Sequence, residues 1–236
     1  MQEKHTETKV HDELLLIDKP KGITSFDVIR ILREELGIQK MGHAGTLDPF
    51  ATGLLILGVG KGTKKLSTLI GLTKTYEAEI LLGKKTDTGD ITGVAIEEKN
   101  VPEISKEMLE KVVAEMVGGH DLKVPLYSAI KKNGKPLYEY ARSGEEVEVP
   151  VKRMTVIECR LIELKLPIVK VFFDVSSGSY IRTLGGLMAE KLGTVGTLLN
   201  LRRLSVGDYI VENARTINAG EYIMKRKKQT DEKNRE

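Results

Sequence analysis

The chain predicts an α+β fold built on a mixed, mostly antiparallel central sheet flanked by helices, and three observations carry the prediction. Residues 147–151, 156–166 and 168–176 are successive runs rich in Val, Ile and Phe, with Pro167 where the last two must reverse, so neighbouring strands pair antiparallel. Residues 25–36, 105–117 and 181–192 instead repeat apolar side chains at helical spacing. With 236 residues and 40% apolar side chains, the chain can fill a core as one large domain or two small ones, without disulfide staples.

Residues 1–12 lack apolar periodicity and read as a flexible N-terminal extension. A strand follows over residues 13–18, and Lys19-Pro20-Lys21-Gly22 forces a turn. Thr24 or Ser25 then caps a helix whose stripe is Val28, Ile29, Ile31, Leu32 and Leu36, and Gly37 ends it. The run from Gly42 to Gly53 sets one carboxylate, Asp48, among glycines, small residues and Pro49. Gly42, Gly45 and Gly53 permit backbone angles closed to other residues, so the loop can hold an irregular path. Asp48 before Pro49 has two readings: the cap of a short helix, or an acid displayed for chemistry.

Residues 54–59 form a short apolar run expected to be a buried strand, and Gly60 to Lys65 turns into a helix over residues 66–72. That turn matches neither phosphate-binding glycine pattern; a surface turn and a nucleic-acid phosphate contact stay open. Residues 75–82 alternate, with Tyr76, Ala78, Ile80 and Leu82 on the buried face. Residues 84–93 read as a polar loop, whose Asp87 and Asp90 lack the remaining ligands of a calcium loop.

Ser105 caps a helix carrying Leu109, Val112, Val113, Met116 and Val117 and ending at Gly118-Gly119. Asn133-Gly134 signals a tight hairpin, and Pro136 opens a helix to Gly144. Lys131, Lys132, Lys135 and Arg142 interleave there with Tyr127, Tyr138 and Tyr140, which suits either an RNA-facing surface or a solvated hairpin. A last helix opens at Tyr180-Ile181-Arg182 and runs to Leu192. Arg182 falls in its first turn, where the helix dipole gives a cation no help, so another partner such as a carboxylate is expected. Residues 201–217 are mixed, and the end of the chain is a charged tail.

Composition narrows the function classes. Cys159 is the single cysteine, which excludes an intramolecular disulfide and a multi-cysteine metal site, and fits a small buried residue in a reducing cytoplasm. The four histidines show no metal-ligand spacing. No run of about 18 apolar residues exists, and the first residues lack an export signal, so no membrane partner is expected. The formal charge of +3 permits a nucleic-acid partner without requiring one.

An ordered set of strings over residues 14–217 resembles the bacterial TruB family of tRNA pseudouridine synthases, which isomerise uridine 55 in the T-loop. The strings are Lys19 to Ser25, Gly42 to Gly53, Lys74-Thr75-Tyr76-Glu77-Ala78, Tyr127 to Lys131 with Gly134-Lys135 and Tyr138 to Gly144, Tyr180 to Leu184, and Leu201-Arg202-Arg203-Leu204. The resemblance implies a pseudouridine synthase fold with the catalytic cleft on its sheet over residues 13–217, and an RNA-binding insertion at about 84–150. It makes Asp48 the catalytic carboxylate and Arg182 its supporting cation. Tyr76 would stack on the target base, and His43, Tyr180 and Leu201 would surround the flipped nucleotide. For Tyr76, His43 and Leu201 the rival role is structural; for Arg182 it is a surface salt bridge.

The implied reaction breaks the bond from N1 to C1′, turns the uracil and joins C5 to C1′, so no cofactor is needed. A glycoside hydrolase commonly uses two carboxylates because water must be activated; an isomerase that keeps its leaving group can work with one. Asp48 would either attack C1′ or help remove a ribose proton to give a glycal. The implied partner is the T-arm of tRNA, met by a monomer with no guide RNA.

The chain departs from the family pattern in three places. Residues 218–236 are too few for the C-terminal PUA-type domain usual in the family, which makes tRNA affinity a property to measure. Val124 stands where a second proline is usual before Pro125, and the extension over residues 1–12 matches no family part. Guide-dependent relatives and a tRNA-binding chaperone without chemistry are the alternatives. The first relies on a PUA domain, and the second would survive loss of the Asp48 carboxylate.

Overall fold

The computed structural model describes residues 13–220 and 222–224; the predicted extension over residues 1–12 and the tail beyond Met224 lie outside the described residues. The chain divides into two compact units, residues 1–70 with 207–236, and residues 71–206.

The first unit opens with β1 (Leu14–Lys19) and α1 (Ser25–Leu36), followed by β2 (Met41–Ala44), β3 (Thr52–Val59), a 3-10 turn over Gly60–Lys65 and α2 (Leu66–Ile70). β3 runs antiparallel to β1, with Leu55 opposite Ile17, and to β2, with Leu57 opposite His43. Leu54, Leu55, Ile56, Leu57 and Val59 are fully buried, which is why the strand reads as an unbroken apolar run. Thr24 is the cap of α1. Its hydroxyl accepts from the Asp27 amide at 3.0 Å while the Asp27 carboxylate accepts from the Thr24 amide at 2.9 Å, closing a capping box. Gly37 ends the helix at φ 66°, and Val28, Ile29 and Leu32 face the core.

The second unit carries β4 (Lys74–Leu82), β5 (Lys84–Thr86), β6 (Ala95–Glu98), α3 (Lys106–Glu115), β7 (Gly118–Lys123), β8 (Lys131–Lys132), β9 (Lys135–Pro136), α4 (Leu137–Ser143), β10 (Val151–Lys165), β11 (Ile168–Val175), α5 (Ile181–Lys191) and β12 (Gly196–Val206). Its sheet has the order β12-β4-β11-β10-β7, antiparallel throughout. The chain then returns to the first unit through β13 (Tyr209–Ile210) and β14 (Arg215–Thr216), the latter parallel to β1. That parallel pair makes the architecture mixed, as predicted. No helix among the described residues is long and apolar enough to cross a membrane.

Several expectations change. Residues 84–93 are not all loop: β5 pairs with β6, a polar hairpin whose second strand is wholly exposed and so lacks the apolar alternation that marks a strand. Residues 147–150 are irregular rather than strand, and β10 begins only at Val151, where pairing with β7 starts. Val117 is 48% exposed and leaves the helical stripe, because α3 has ended and the backbone turns at Gly118, φ 118°, into a strand that carries no apolar signal. The hairpin at Asn133-Gly134 forms as predicted, with positive φ of 53° and 81° at the two residues.

Candidate active site

The Asp48 loop is built from inside the first unit. Gly45 and Gly53 have φ of 84° and 102°, angles that a side chain would strain. Gly42 has another reason to be glycine: a Cβ there would sit 3.0 Å from the Leu66 side chain. Leu47, Phe50 and Ala51 are buried, so the loop is anchored on both sides of the half-buried Asp48.

The helix cap expected at Asp48 is not formed. The Ala51 amide donates to the Asp48 carbonyl at 3.1 Å, closing a four-residue turn with Pro49 in its second position. Proline's fixed φ suits that position as well as the first turn of a helix, and here β3 claims the chain from Thr52 onward. Asp48 is therefore displayed by a turn.

The segment Lys19 to Ser25 holds this turn. The Ser25 hydroxyl accepts from the Leu47 amide at 2.8 Å and donates to the Leu47 carbonyl at 3.1 Å. The Gly22 amide donates to the Pro49 carbonyl at 2.7 Å. Lys19 is fully buried, and its ammonium donates to the carbonyls of Pro20 at 2.9 Å and Ile23 at 2.8 Å, reaching that of Pro49 at 3.5 Å. In the sequence Lys19 belongs to a turn and Ser25 is a possible cap, both within the first family string, and no local signal ties either to the Asp48 loop. Thr24 takes the cap, which frees the Ser25 hydroxyl. His43 lies on β2, half-buried, in the same unit.

The second unit carries the other four predicted residues. Tyr76 is 7% exposed on β4, flanked by Phe173 on β11 and Arg203 on β12. Leu201 is opposite Ala78, so it shares the sheet face of Tyr76. α5 packs over that face at Ile80 and Leu198, where a Cβ on Gly185 would sit 2.9 Å from the Leu198 side chain. Tyr180 and Arg182 open this helix.

Arg182 is 7% exposed, and its guanidinium donates to the Thr88 carbonyl at 2.7 Å and the Tyr127 carbonyl at 2.9 Å. It thus joins the 86–90 turn to the Tyr127 segment. Two buried cations on the sheet were not anticipated. Arg203 is 1% exposed, and Lys74 donates to the Leu72 carbonyl at 2.6 Å. Burial, and then the Arg203 charge, push the Lys74 ammonium down to about 8. Cys159 is buried as expected, and burial raises its thiol to about 12, which keeps it unreactive. Both cations lie within strings already singled out, Lys74 beside Tyr76 and Arg203 beside Leu201, and that adjacency was the available signal.

Residues 33–181 match the family model described as TruB family pseudouridylate synthase (N terminal domain). The chain belongs to the TruB family. The matched span holds His43, Asp48, Tyr76 and Tyr180 and stops one residue short of Arg182. Among relatives in the TruB family's range, tRNA pseudouridine synthase B of Aromatoleum aromaticum is 40% identical over 215 residues, covering 91% of this chain and 70% of that protein. The protein of the same name in Fusobacterium nucleatum is 45% identical over 199 residues, covering 84% of this chain and 69% of its own. The fold is shared with the crystal structure of a Cbf5-Nop10-Gar1 complex, at TM-score 0.68 and 23% identity over 89% of this chain. This TruB-family chain spans about half that structure's chain, 54% of it.

Proposed function

We propose that this chain isomerises uridine 55 in the T-loop of tRNA to pseudouridine, with Asp48 as its one catalytic carboxylate. The observation that carries the reading is Asp48 itself: a half-buried acid on a turn fixed by buried side chains and by hydrogen bonds from Ser25, Gly22 and Lys19, in a member of a pseudouridylate synthase family. Holding one reacting group in a fixed geometry is what an isomerase that neither adds water nor exchanges a group requires.

In the reaction the N1 to C1′ bond breaks, the uracil turns, C5 bonds to C1′, and the C5 proton leaves as N1 regains one. Asp48 acts on the ribose, by attack on C1′ or by proton removal toward a glycal, and Arg182 serves as its cationic partner. Tyr76 offers a ring face to the uracil and a phenolic oxygen to the C5 proton. His43, Tyr180 and Leu201 receive the nucleotide once it has left its stack, a displacement that costs a few kcal/mol. Residues 84–150 form the RNA-binding insertion. The enzyme works in the cytoplasm as a monomer, on the T-arm and without a guide RNA.

The test is a single-turnover assay on a T-arm stem-loop RNA whose target uracil carries tritium at C5. The parent is expected to release tritium, and Asp48→Asn to lose at least about a thousandfold in rate while still binding. Equal release by both would remove Asp48 from the chemistry. Tight binding with no release by either would make the chain an RNA-binding protein.

A further inference from the structure

The hairpin β8-β9 and helix α4 carry Lys131, Lys132, Lys135, Tyr138, Tyr140 and Arg142, which suit either an RNA-facing surface or a solvated hairpin, and the structure pairs two of the lysines with the segment that follows. Lys132 donates to the Glu148 carboxylate at 2.8 Å and to the Glu148 carbonyl at 3.0 Å. Lys135 donates to the Glu145 carboxylate at 2.6 Å, and the same oxygen accepts from Ser143 at 2.7 Å. The Lys135 ammonium also lies 4.5 Å from the centre of the Tyr140 ring. Each lysine therefore holds an anionic oxygen at the distance a phosphate oxygen would take.

The strap that supplies these carboxylates, residues 144–150, is irregular and contains no buried residue. It stands over a cavity of about 580 Å³ lined by Leu126, Tyr140 and Ala141 together with the strap itself. Backbone hydrogen bonds hold it at its ends, Glu145 to Tyr140 at 3.1 Å and Val124 to Pro150 at 3.0 Å. Between them, the two lysine pairs tie it down. Glu148 is 89% exposed and Glu145 54%, and exposed pairs of this kind are screened by solvent and add little to stability. They are cheap to exchange for another anion. Over residues 127–150, Lys131, Lys132, Lys135 and Arg142 are balanced by Glu139, Glu145, Glu146 and Glu148, so the surface as folded is electrically neutral.

We infer that Glu145 and Glu148 are specificity-determining residues that occupy the phosphate positions of Lys135 and Lys132 in the free enzyme. An RNA must displace both carboxylates to use this surface. A correctly shaped T-arm recovers that cost through its contacts elsewhere, and an unrelated RNA held by charge alone does not. The inference rests on the proposed action on tRNA and goes beyond it by naming what keeps other RNAs off.

The experiment measures binding of two RNAs, the T-arm stem-loop and an unstructured RNA of the same length, to the parent and to the double variant Glu145→Gln with Glu148→Gln. The variant is expected to bind the unstructured RNA about tenfold more tightly and the T-arm only about threefold more tightly. Its log–log salt slope should steepen by up to about two, because the lysines no longer arrive already neutralised. Adding Lys132→Gln and Lys135→Gln should cancel the gain. Glu146→Gln, the same charge change one residue away, should leave binding nearly as it was. Equal affinities and slopes in parent and double variant would overturn the inference, as would an equal gain from Glu146→Gln, which would make the effect one of net charge. If the parent neither binds nor turns over the T-arm, the proposed function fails, and this inference with it.

Discussion

The Asp48 turn and the strap over residues 144–150 are both irregular segments, and they are held in opposite ways. The turn is gripped at its backbone by the buried Ser25 hydroxyl on both polar groups of Leu47 and the buried Lys19 ammonium at the Pro49 carbonyl, with the amide of the exposed Gly22 on that same carbonyl. The strap is held by exposed lysine–glutamate pairs above a cavity. Buried cations elsewhere follow the rule of the turn, with Lys74 on the Leu72 carbonyl and Arg182 on those of Thr88 and Tyr127. A buried cation bonded to carbonyls fixes a loop because losing its partners in low dielectric is expensive, whereas an exposed ion pair trades readily with water and other ions. Buried charge thus helps to fix the Asp48 turn, and exposed charge ties down the strap.

Four measurements can break or sharpen this contrast, from the largest expected effect to the smallest. Lys74, lowered from 10.5 to about 8 by burial, is charged in both folded and unfolded chains below that value and neutral only in the folded chain between about 8 and 10.5. The unfolded state therefore binds more protons in that window, and stability rises with pH across it. Urea unfolding should show the parent gaining on the order of 3 kcal/mol relative to Lys74→Met between pH 8 and 10.5, and a flat difference would mean that the cation is not paying a burial cost.

Ser25→Ala leaves the amide and carbonyl of the buried Leu47 without their hydroxyl partner. It should cost about 1 to 3 kcal/mol in unfolding free energy and slow single turnover on saturating T-arm RNA by about tenfold or more. A loss of stability with an unchanged rate would show that the turn keeps its shape without this grip. At the small end, Val147→Ala in the strap should change stability by less than about 0.5 kcal/mol. Hydrogen exchange should divide the same way, fast at the amides of Glu146 to Val149 and slow at those of Leu47 and Ala51, which are bonded to Ser25 and Asp48.

Local signals alone settled a good part of this molecule. The ends of α1 are written in Thr24, Asp27 and Gly37, the hairpin in Asn133-Gly134, and the buried face of β4 in the alternation from Tyr76 to Leu82, because each depends on residues a few positions apart. The family, and with it the expected roles of Asp48, Tyr76 and Arg182, followed from the order of short strings. What the sequence could not decide was anything that depends on a distant partner. Whether Asp48-Pro49 caps a helix or closes a turn was fixed by β3 claiming the chain after Ala51. Polar strands such as β5, β6 and β7 became strands only through their pairing. Nothing local marks Lys19 or Lys74 as buried, and only the fold sets them against carbonyls, just as only the strap brings Glu148 and Glu145 to Lys132 and Lys135. A composition or a period records what a residue prefers, whereas burial and long-range hydrogen bonds record which preferences the packed chain overrode.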